Sequence, residues 1–462
     1  MSSAAGAAGA AKARWQSLIS GSPNRRIFGA IMIIGGTTVS VKAAALAKDL
    51  LTASVFGAGG ELDAFFIALV LPYFFVSIVT SAVASAFIPA YVKAMQQDGE
   101  GAAQRLFSGV LAVSIALLTV ATGVLAVVGP PLLPFLSSGF SAANKDLLHR
   151  LFFLMLSMVP LTGLTTILIS VLSSHEAFGV AAATEIAIPI GTGAGLLFGT
   201  GTGGVYAMTI GMLLGICVQA AVLARLAARR GVRLRPRWLG RDPEIMQVVG
   251  QYLPAAAGVL LILTAPIIDQ AMAATLGEGS VATLNYGSKI ISPLMSVGVA
   301  AIGTAVLPYF SKMVGADDWV GVRHTLRTFT ALILAVSIPA TIVLVLLSEP
   351  MIRLMFERGA FTSADTHTVS LVNAYNLLQI PLYAVTILFV RLISSMRANR
   401  ILMFGAAISA AINVVLDWWL KSLMGIAGIA LATSAVYLSS MLFLGYMLLR
   451  LLREQDRRAA SA

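Results

Sequence analysis

Residues 54–66 read SVFGAGGELDAFF, a glycine-rich turn with two acids that separates two long apolar stretches. Glycine adopts the positive φ angles of tight turns more readily than any other residue. A turn with a similar pattern, LGEGSVATLNY at 276–286, lies 220 residues further along the chain. The recurrence indicates that the chain consists of two related halves, and that a glycine turn ends the first apolar stretch of each.

Further pairs of residues match at an offset of 220 or 221 in separated parts of the two halves. Such agreement over several stretches is not expected by chance, so we predict an internal repeat. The matched pairs are Gly57 with Gly277, Gly59 with Gly279, Phe140 with Phe361, Pro160 with Pro381, Leu161 with Leu382, Ser173 and Ser174 with Ser394 and Ser395, and Gly204 with Gly425. Pro89 and Tyr91 fall within two positions of Pro308 and Tyr309.

The amino-acid composition is typical of a membrane protein. Hydrophobic residues make up 58% of the chain and charged residues 11%, whereas soluble domains carry about a quarter charged residues. Apolar runs of about 20 residues, long enough to span a bilayer as helices, recur throughout. They lack the charged face of a soluble amphipathic helix and the short alternation of a β-barrel strand. We predict an all-α polytopic membrane protein with twelve spans near 27–55, 63–92, 105–128, 147–173, 178–199, 203–228, 245–275, 280–310, 326–348, 366–395, 401–420 and 425–450.

The distribution of positive charge predicts the topology. With a cytoplasmic N-terminus, most of the 31 lysines and arginines fall in inside segments, which is the positive-inside pattern. Both termini are therefore predicted to be cytoplasmic. The net charge of +11 needs no nucleic-acid partner, and the arginine-rich stretch 225–241 is interpreted as a cytoplasmic loop that contacts anionic membrane lipids. The outside segments carry only Lys145, Arg150, Arg353, Arg358 and Lys421.

Six spans in each half give both halves the same orientation, so the repeat is parallel. Two such lobes facing each other would enclose a central cavity, which is typical of transporters. The predicted division is a cytoplasmic tail at 1–26, an N-lobe at 27–230, a basic linker at 231–244, a C-lobe at 245–450 and a second tail at 451–462. We expect a monomer.

Lysines inside the predicted spans point to an anionic substrate. Ionisable residues within a membrane are costly and usually functional, and Lys42, Lys48, Asp49 and Lys289 are of this kind. Lys42 would lie about 22 Å along a helix that begins at Ile27, which is deep for snorkelling. A cationic cavity wall suits a pyrophosphate, and we predict these four residues as the substrate site. The alternative is that Lys48 and Asp49 neutralise each other or that Lys48 snorkels.

A second group of polar residues lies in the second half. Asn413 and Asp417 are four residues apart and share one helix face, Thr433 lies on the next span, and Asp269 lies on the seventh predicted span. Two carboxylates, an amide and a hydroxyl form an oxygen-only set that suits a hard cation. The alternatives are a hydrogen-bonded structural cluster and a proton-binding carboxylate. Glu185 is either a proton site or a partner for a cavity lysine.

The sequence contains no catalytic constellation. There is no Gly-Lys-Ser/Thr phosphate loop for nucleotide hydrolysis, the four histidines show no metal-ligand spacing, and the single cysteine, Cys217, lies in an apolar segment. We therefore expect a transporter rather than an enzyme, with no cofactor other than a bound cation.

Several stretches resemble the MurJ (MviN) lipid II flippases of the MOP exporter superfamily. They are AKDLLTASVFGAGGELDAFFIALVLPYFF from residue 47, SAFIPAY ending at 91, GSVATLNYGSKI at 279–290, FERGAFTSADT at 356–366 and GIAGIALATS at 425–434. The resemblance covers about residues 40–450. It implies two six-helix lobes around a V-shaped cavity in a bacterial cytoplasmic (inner) membrane. It also implies alternating access that moves an undecaprenyl-pyrophosphate-linked glycan from the inner to the outer leaflet.

The resemblance also implies roles for individual residues. Lys42, Lys48 and Lys289 fall where the family has cavity arginines, and Asp49 matches the acid that follows the second of these. Some members hold a sodium ion between the seventh, eleventh and twelfth spans, and this implies a sodium site at Asp269, Asn413, Asp417 and Thr433. The glycine turns are interpreted as gating turns that close one side of the cavity, at Gly57, Gly59, Gly277 and Gly279.

Three departures from the family pattern leave the glycan open. Lysines replace the cavity arginines and cannot form a bidentate fork to phosphate. Val76 and Ser77 stand where the family has another basic residue, and twelve spans are predicted where lipid II flippases have fourteen. A precursor of an exopolysaccharide or of an O-antigen-type polymer therefore fits at least as well as lipid II.

Two other classes of function are alternatives. A cation-coupled multidrug antiporter of the same superfamily would need an apolar, aromatic or acidic cavity, whereas the assigned cavity charges are mainly basic. A glycan polymerase would need a large outside loop with catalytic groups, and the predicted outside loops are too short for a separate domain. A non-transporting membrane scaffold belongs with this last alternative.

Overall fold

The structure is a computed structural model that describes residues 23–82, 86–175, 177–199, 203–240, 242, 246, 250 and 252–461. The predicted N-terminal tail lies outside the described residues up to residue 22, as does part of the predicted linker at 231–244. Regular structure in the described part is helical. The helices of the first half are α1 (Pro23–Phe56), α2 (Gly60–Ala82), α3 (Ile88–Gln97), α4 (Gly99–Leu136), α5 (Ala142–Met155), α6 (Met158–Ser174), α7 (Phe178–Ala183), a 3-10 turn (Thr184–Ile186), α8 (Ala187–Phe198) and α9 (Gly204–Arg229).

The second half has the same all-helical character. Its helices are α10 (Tyr252–Ala274), α11 (Ser280–Gly287), α12 (Ile291–Gly315), α13 (Trp319–Leu346), α14 (Ser348–Phe356), α15 (Ser363–Leu377), α16 (Gln379–Ser395), α17 (Asn399–Met424) and α18 (Ile426–Ser461). The predicted all-α polytopic fold is thereby confirmed.

Nine helical segments among the described residues are long and apolar enough to cross a membrane. They coincide with the second to sixth and the ninth to twelfth predicted spans. Helices α1, α10 and α12 lie at the three other predicted positions, so the count of twelve stays a prediction. The nine segments are Gly60–Ile78, Gly99–Leu136, Ala142–Ser174, Gly179–Phe198, Gly204–Arg229, Trp319–Leu346, Ser363–Ser395, Asn399–Met424 and Ile426–Gln455.

The internal repeat is visible in where two helices break. The fourth predicted span divides between α5 and α6, and the tenth divides between α15 and α16. Pro160 and Pro381, which match in the repeat, are each the third residue of the helix after the break. Proline lacks a backbone N–H and is tolerated in the first turn of a helix, where that N–H has no intrahelical partner. A proline at the matching position thus lies in the first turn of a new helix in both halves.

The chain forms two compact units. Unit 1 comprises residues 1–52, 71–129 and 151–257, and unit 2 comprises residues 53–70, 130–150 and 258–462. The predicted lobe boundaries at 27–230 and 245–450 stay a prediction. The units do not follow them throughout, because two short segments of the first half pack within unit 2.

Each unit has its own packing. In unit 1, α8 and α9 approach so closely that a Cβ at Gly191 or Gly211 would overlap the backbone of the other helix, which requires glycine on both sides. In unit 2, a buried apolar core forms between α12, α13, α16 and α18, and its members include Phe310, Val322 and Leu388. Both kinds of packing fix helices without polar side chains, as expected for spans surrounded by lipid.

Candidate functional site

Asp63, in the first turn of α2, is buried and binds the start of α11 within unit 2. Its side chain is 0% exposed, and its carboxylate oxygens accept hydrogen bonds from the N–H groups of Gly279 and Ala282, both at 2.6 Å. The N-terminal N–H groups of a helix lack intrahelical partners and carry partial positive charge. The carboxylate therefore joins the turn at 57–60 to its repeat partner at 277–279 by charge-assisted hydrogen bonds.

Three of the four glycines predicted as gating turns have a left-handed backbone conformation. The φ angles of Gly57, Gly277 and Gly279 are +56°, +104° and +85°. Gly59 has no positive φ, and its carbonyl oxygen accepts hydrogen bonds from two N–H groups of the first turn of α2. A Cβ at Gly57 would also overlap the carbonyl oxygen of Ala360. These turns are thus fixed both by conformation and by close packing.

One close backbone contact occurs twice, related by the repeat. A Cβ at Gly139 would overlap the carbonyl oxygen of Ala274, and a Cβ at Gly359 would overlap that of Ser54. Each residue of the first contact lies 220 positions from its counterpart in the second. In both contacts, a segment of one half packs against the end of the first span of the other half. The repeat therefore gives unit 2 two equivalent interlocking contacts.

Two hydrogen bonds support these contacts. The N–H of Ala360 donates to the carbonyl oxygen of Ser54 at 2.8 Å, and the N–H of Ser141 donates to Oε1 of Glu278 at 3.1 Å. Hydrogen bonds from the side chain and backbone of Ser141 lower the pKa of the Glu278 carboxyl group. We call this set of residues the turn cluster: Ser54, Gly57, Asp63, Gly139, Ser141, Ala274, Glu278, Gly279, Ala282, Gly359 and Ala360.

The stretch FERGAFTSADT at 356–366 packs beside the turn cluster. Phe356 and Phe361 are buried, and both rings contact the ring of Tyr286, with centroids 5.2 Å and 5.5 Å away. Thr362 and Asp365 form a reciprocal capping box that starts α15, an arrangement that satisfies two backbone donors at a helix start. The residues of this stretch therefore hold Gly359 and Ala360 in place.

Asp63 and Glu278 were not predicted as functional residues from the sequence, although both lie in the two matching glycine turns. The only sequence feature that could have indicated them is an acid next to a glycine turn at the start of an apolar helix. Each acid binds a backbone N–H group in the other half of the chain, and no residue type marks such a group in a sequence.

Asp269, Asn413 and Thr433 come together in unit 2 as the sequence predicts. Nδ2 of Asn413 donates to Oδ1 of Asp269 at 3.0 Å, and Oγ1 of Thr433 donates to Oδ2 at 3.3 Å. Asp417, one turn after Asn413 on α17, is 0% exposed. Three helices, α10, α17 and α18, thus direct these polar side chains to one place, where Asn413 and Asp417 are buried and Asp269 and Thr433 are half-buried.

The carboxyl groups of Asp269 and Asp417 interact directly with each other, and Oδ1 of Asn413 is buried without a hydrogen-bond partner in the described part of the chain. Two ionised carboxylates side by side in a buried place are very unfavourable. A cation bound between Asp269 and Asp417 would satisfy these oxygens and offset the repulsion between two acids. The donor atoms are oxygens of carboxyl, amide and hydroxyl groups, a set that suits a hard cation.

The predicted substrate residues of the first span lie on α1 in unit 1. Lys48 forms an ion pair with the adjacent Asp49, and their side chains are 25% and 13% exposed. Lys42 is exposed, and its charge acts on the carboxylate of Glu185. The structure therefore brings Lys48 to Asp49 and associates Lys42 with Glu185.

Lys289, the predicted substrate residue of the second half, lies in unit 2 at the break between α11 and α12. Its side chain is half-buried, and its N–H donates to the carbonyl oxygen of Tyr286 in a turn. The neighbouring hydroxyl of Ser288 accepts a hydrogen bond from Asn376 at 3.3 Å. Lys289 is thus placed on a helix break with fixed polar neighbours.

Comparison with known proteins identifies relatives over most of the chain. A family model described as "Lipid II flippase MurJ" matches residues 52–461. The "Probable lipid II flippase MurJ" of Thermotoga maritima is 26% identical over 408 residues, which are 86% of this chain and 80% of that protein. The "Lipid II flippase MurJ" of Burkholderia cenocepacia is 27% identical over 369 residues, 75% of this chain and 68% of that protein.

Solved structures show the same fold. A lipid II flippase MurJ in an inward closed conformation superposes with a TM-score of 0.73 at 22% identity, over 90% of this chain and 87% of that one. An inward-facing multidrug resistance MATE family transporter of the MOP superfamily superposes with a TM-score of 0.71 at 13% identity, over 90% and 95%. At these identities the superpositions establish the fold alone.

Proposed function

The chain belongs to the lipid II flippase MurJ family, and we propose from this membership that it moves a polyprenyl-pyrophosphate-linked glycan between the leaflets of the bacterial inner membrane. The observation that carries the proposal is the family match over residues 52–461. Lipid II is the first candidate for the glycan, because the relatives named above are lipid II flippases. The protein is accordingly a transporter and not an enzyme.

The turn cluster is proposed as the gate that closes the outer side of the substrate path. Its segments follow the first and third spans of the first half and the corresponding spans of the second half, which the predicted topology places outside. Its contacts connect residues of both halves through backbone groups, glycine surfaces and one buried carboxylate. Alternating access requires such contacts to form in one state and separate in the other.

The lysines of the predicted substrate site are proposed to hold the pyrophosphate. Lys48 and Lys42 supply positive charge from α1, and Lys289 supplies it from the break before α12. Asp49 orients the ammonium group of Lys48, which makes a fixed donor of an otherwise flexible side chain. This role for the lysines rests on charge and on the family resemblance.

Replacing Lys48 with alanine should lower transport at least roughly 10-fold, because a hydrogen bond to a charged group contributes about 1.5–3 kcal/mol. Lys48→Arg should retain transport, since arginine binds phosphate at least as well. The measurement is flipping of a polyprenyl-pyrophosphate glycan in vesicles that contain the purified protein. Lys93→Ala, which removes an exposed lysine of α3, is the control. Full transport by the Lys48→Ala protein would contradict the assignment.

A sodium ion is proposed at Asp269, Asn413, Asp417 and Thr433, where it would neutralise two buried acids. Asp417→Asn removes one of these acids, so the protein should no longer depend on sodium for transport. Its melting temperature without sodium should rise, and the stabilisation that sodium gives the natural protein should disappear. Melting curves in sodium and in choline chloride measure this, with exposed Ser422→Ala on the same helix as control. A purely hydrogen-bonded cluster would instead be insensitive to sodium in both proteins.

Complementation tests the proposed substrate directly. The protein is expressed in cells depleted of their own lipid II flippase, with the Lys48→Ala variant as the inactive control. Survival that requires Lys48 supports lipid II as substrate. Lysis, with the protein folded in the membrane, would point to a different lipid-linked glycan such as an exopolysaccharide precursor.

The predicted orientation is tested separately with reporter fusions at both termini. A reporter that is active only in the cytoplasm should be active at either end. Activity of a periplasmic reporter at either terminus would contradict the topology, and with it the outer location of the turn cluster.

A further inference from the structure

Unit 2 contains a groove of about 760 Å³ between α13, α16 and α18, within the size range of ligand sites in proteins. Apart from its arginines the lining is mainly apolar, with Leu334, Phe389 and Leu448 among the side chains, and it includes Gly445. One end is basic. We propose that this groove binds an anionic phospholipid of the cytoplasmic leaflet, with the phosphate at the basic end and an acyl chain along the apolar part.

Three arginines form the basic end of the groove: Arg323 and Arg327 on α13, and Arg453 on α18. Nη2 of Arg323 donates to the carbonyl oxygen of Leu452 at 3.3 Å, which ties α13 to α18. Within the described residues, Arg327 and Arg453 form no ion pair with a carboxylate, whereas nearby Arg450 pairs with Glu454. Arginine is the side chain best suited to phosphate oxygens, so this end of the groove is complementary to a phosphodiester.

The groove has the depth of one leaflet. Its lining residues on α13 run from Arg323 to Leu334, which corresponds to about 16 Å at 1.5 Å per residue. The hydrocarbon core of a bilayer is about 30 Å thick, so the groove covers about half of it. An acyl chain that starts at the arginines would reach the bilayer centre at Leu334. The predicted topology places the arginines at the cytoplasmic surface, where anionic lipids attract basic residues.

The order of groups along the groove matches that of a phospholipid. Arginines lie at the cytoplasmic end and apolar side chains such as Leu334 and Phe389 follow. The groove therefore presents a site for phosphate and then a surface for an acyl chain.

The experiment uses the full protein in lipid nanodiscs with phosphatidylglycerol that carries a photoreactive acyl chain. After irradiation, labelled peptides should come from α13, α16 and α18. Arg327→Gln with Arg453→Gln should weaken binding about 30-fold, since each basic residue contributes roughly 1 kcal/mol near an anionic surface. The charge-matched control, Arg400→Gln with Arg450→Gln, removes two exposed arginines outside the groove and should leave labelling unchanged.

A second pair of variants tests the groove itself. Ala331→Trp fills the groove, because Ala331 lines it and is exposed, and should abolish labelling of these helices. Val336→Trp lies on the same helix outside the groove, at a residue that is 64% exposed, and should leave the labelling unchanged.

Equal labelling by photoreactive phosphatidylcholine would overturn the proposal, as would labelling that survives Ala331→Trp. Displacement by an equimolar amount of undecaprenyl pyrophosphate would overturn it in favour of a cargo site. None of these readouts requires flipping, so the proposal can fail independently of the proposed function.

Discussion

Asp63→Ala should abolish transport by opening the turn cluster. The carboxylate accepts two buried N–H bonds at 2.6 Å, and its loss leaves both donors without a partner at the start of α11. Unsatisfied buried groups cost about 1–3 kcal/mol each, so we expect the closed cluster to lose about 3 kcal/mol. A loss of this size shifts an equilibrium between closed and open states by more than roughly 100-fold.

Amide hydrogen exchange measures this opening at a distance from the substituted residue. The N–H of Ala360 bonds to the carbonyl oxygen of Ser54 and does not contact Asp63. If the cluster opens as a unit, the exchange rate of this amide should rise roughly 100-fold in Asp63→Ala, as the free-energy change dictates. Asp63→Asn keeps one acceptor oxygen and should have an intermediate effect.

Glu61→Gln provides the control, since Glu61 is an exposed acid in the same helical turn. Its exchange rates and transport should match those of the natural protein. Faster exchange confined to Gly279 and Ala282 in Asp63→Ala, with Ala360 unchanged and transport intact, would show that Asp63 is only a local helix cap. It would then play no part in a gate.

The sequence predicted the repeat, the membrane fold and the meeting of Asp269 with Asn413 and Thr433, because each leaves a pattern in side-chain type or spacing. Apolar runs report helices that must satisfy their own backbone in lipid. Intramembrane acids are rare, and the family resemblance brought Asp269 of the seventh span together with Asp417 of the eleventh. The membrane fold and this polar group follow from the cost of placing polar groups in hydrocarbon.

The contacts of the turn cluster could not be predicted in this way. The partners of Asp63 are the N–H groups of Gly279 and Ala282, and the partners of Gly139 and Gly359 are carbonyl oxygens. Every residue carries such groups, so no residue type marks them. The assignment of segments 53–70 and 130–150 to unit 2 has the same origin, because it depends on long-range backbone contacts and not on hydrophobic pattern.

Gly139→Ala and Gly359→Ala should each prevent the turn cluster from closing, and the second substitution should have the larger effect. An added methyl group at either position would overlap a carbonyl oxygen of the opposing segment, and overpacking of this kind costs about 1–3 kcal/mol. Gly359 also has a φ of +62°, where a side chain costs roughly another 1–2 kcal/mol. Transport should therefore fall in the order natural protein, Gly139→Ala, Gly359→Ala.

Because the repeat makes the two contacts equivalent, amide exchange at one contact measures the effect of a substitution at the other. In Gly139→Ala, exchange is followed at the N–H of Ala360, which belongs to the Gly359 contact. In Gly359→Ala, it is followed at the N–H of Ser141, which bonds to Glu278 beside the Gly139 contact. Gly123→Ala is the control, since a Cβ at Gly123 meets no atom within 4 Å. If both contacts belong to one gate, each substitution accelerates exchange at the other contact. If each variant accelerates exchange only at its own contact while transport continues, the cluster consists of two independent packing sites, and the gate must lie elsewhere in the protein.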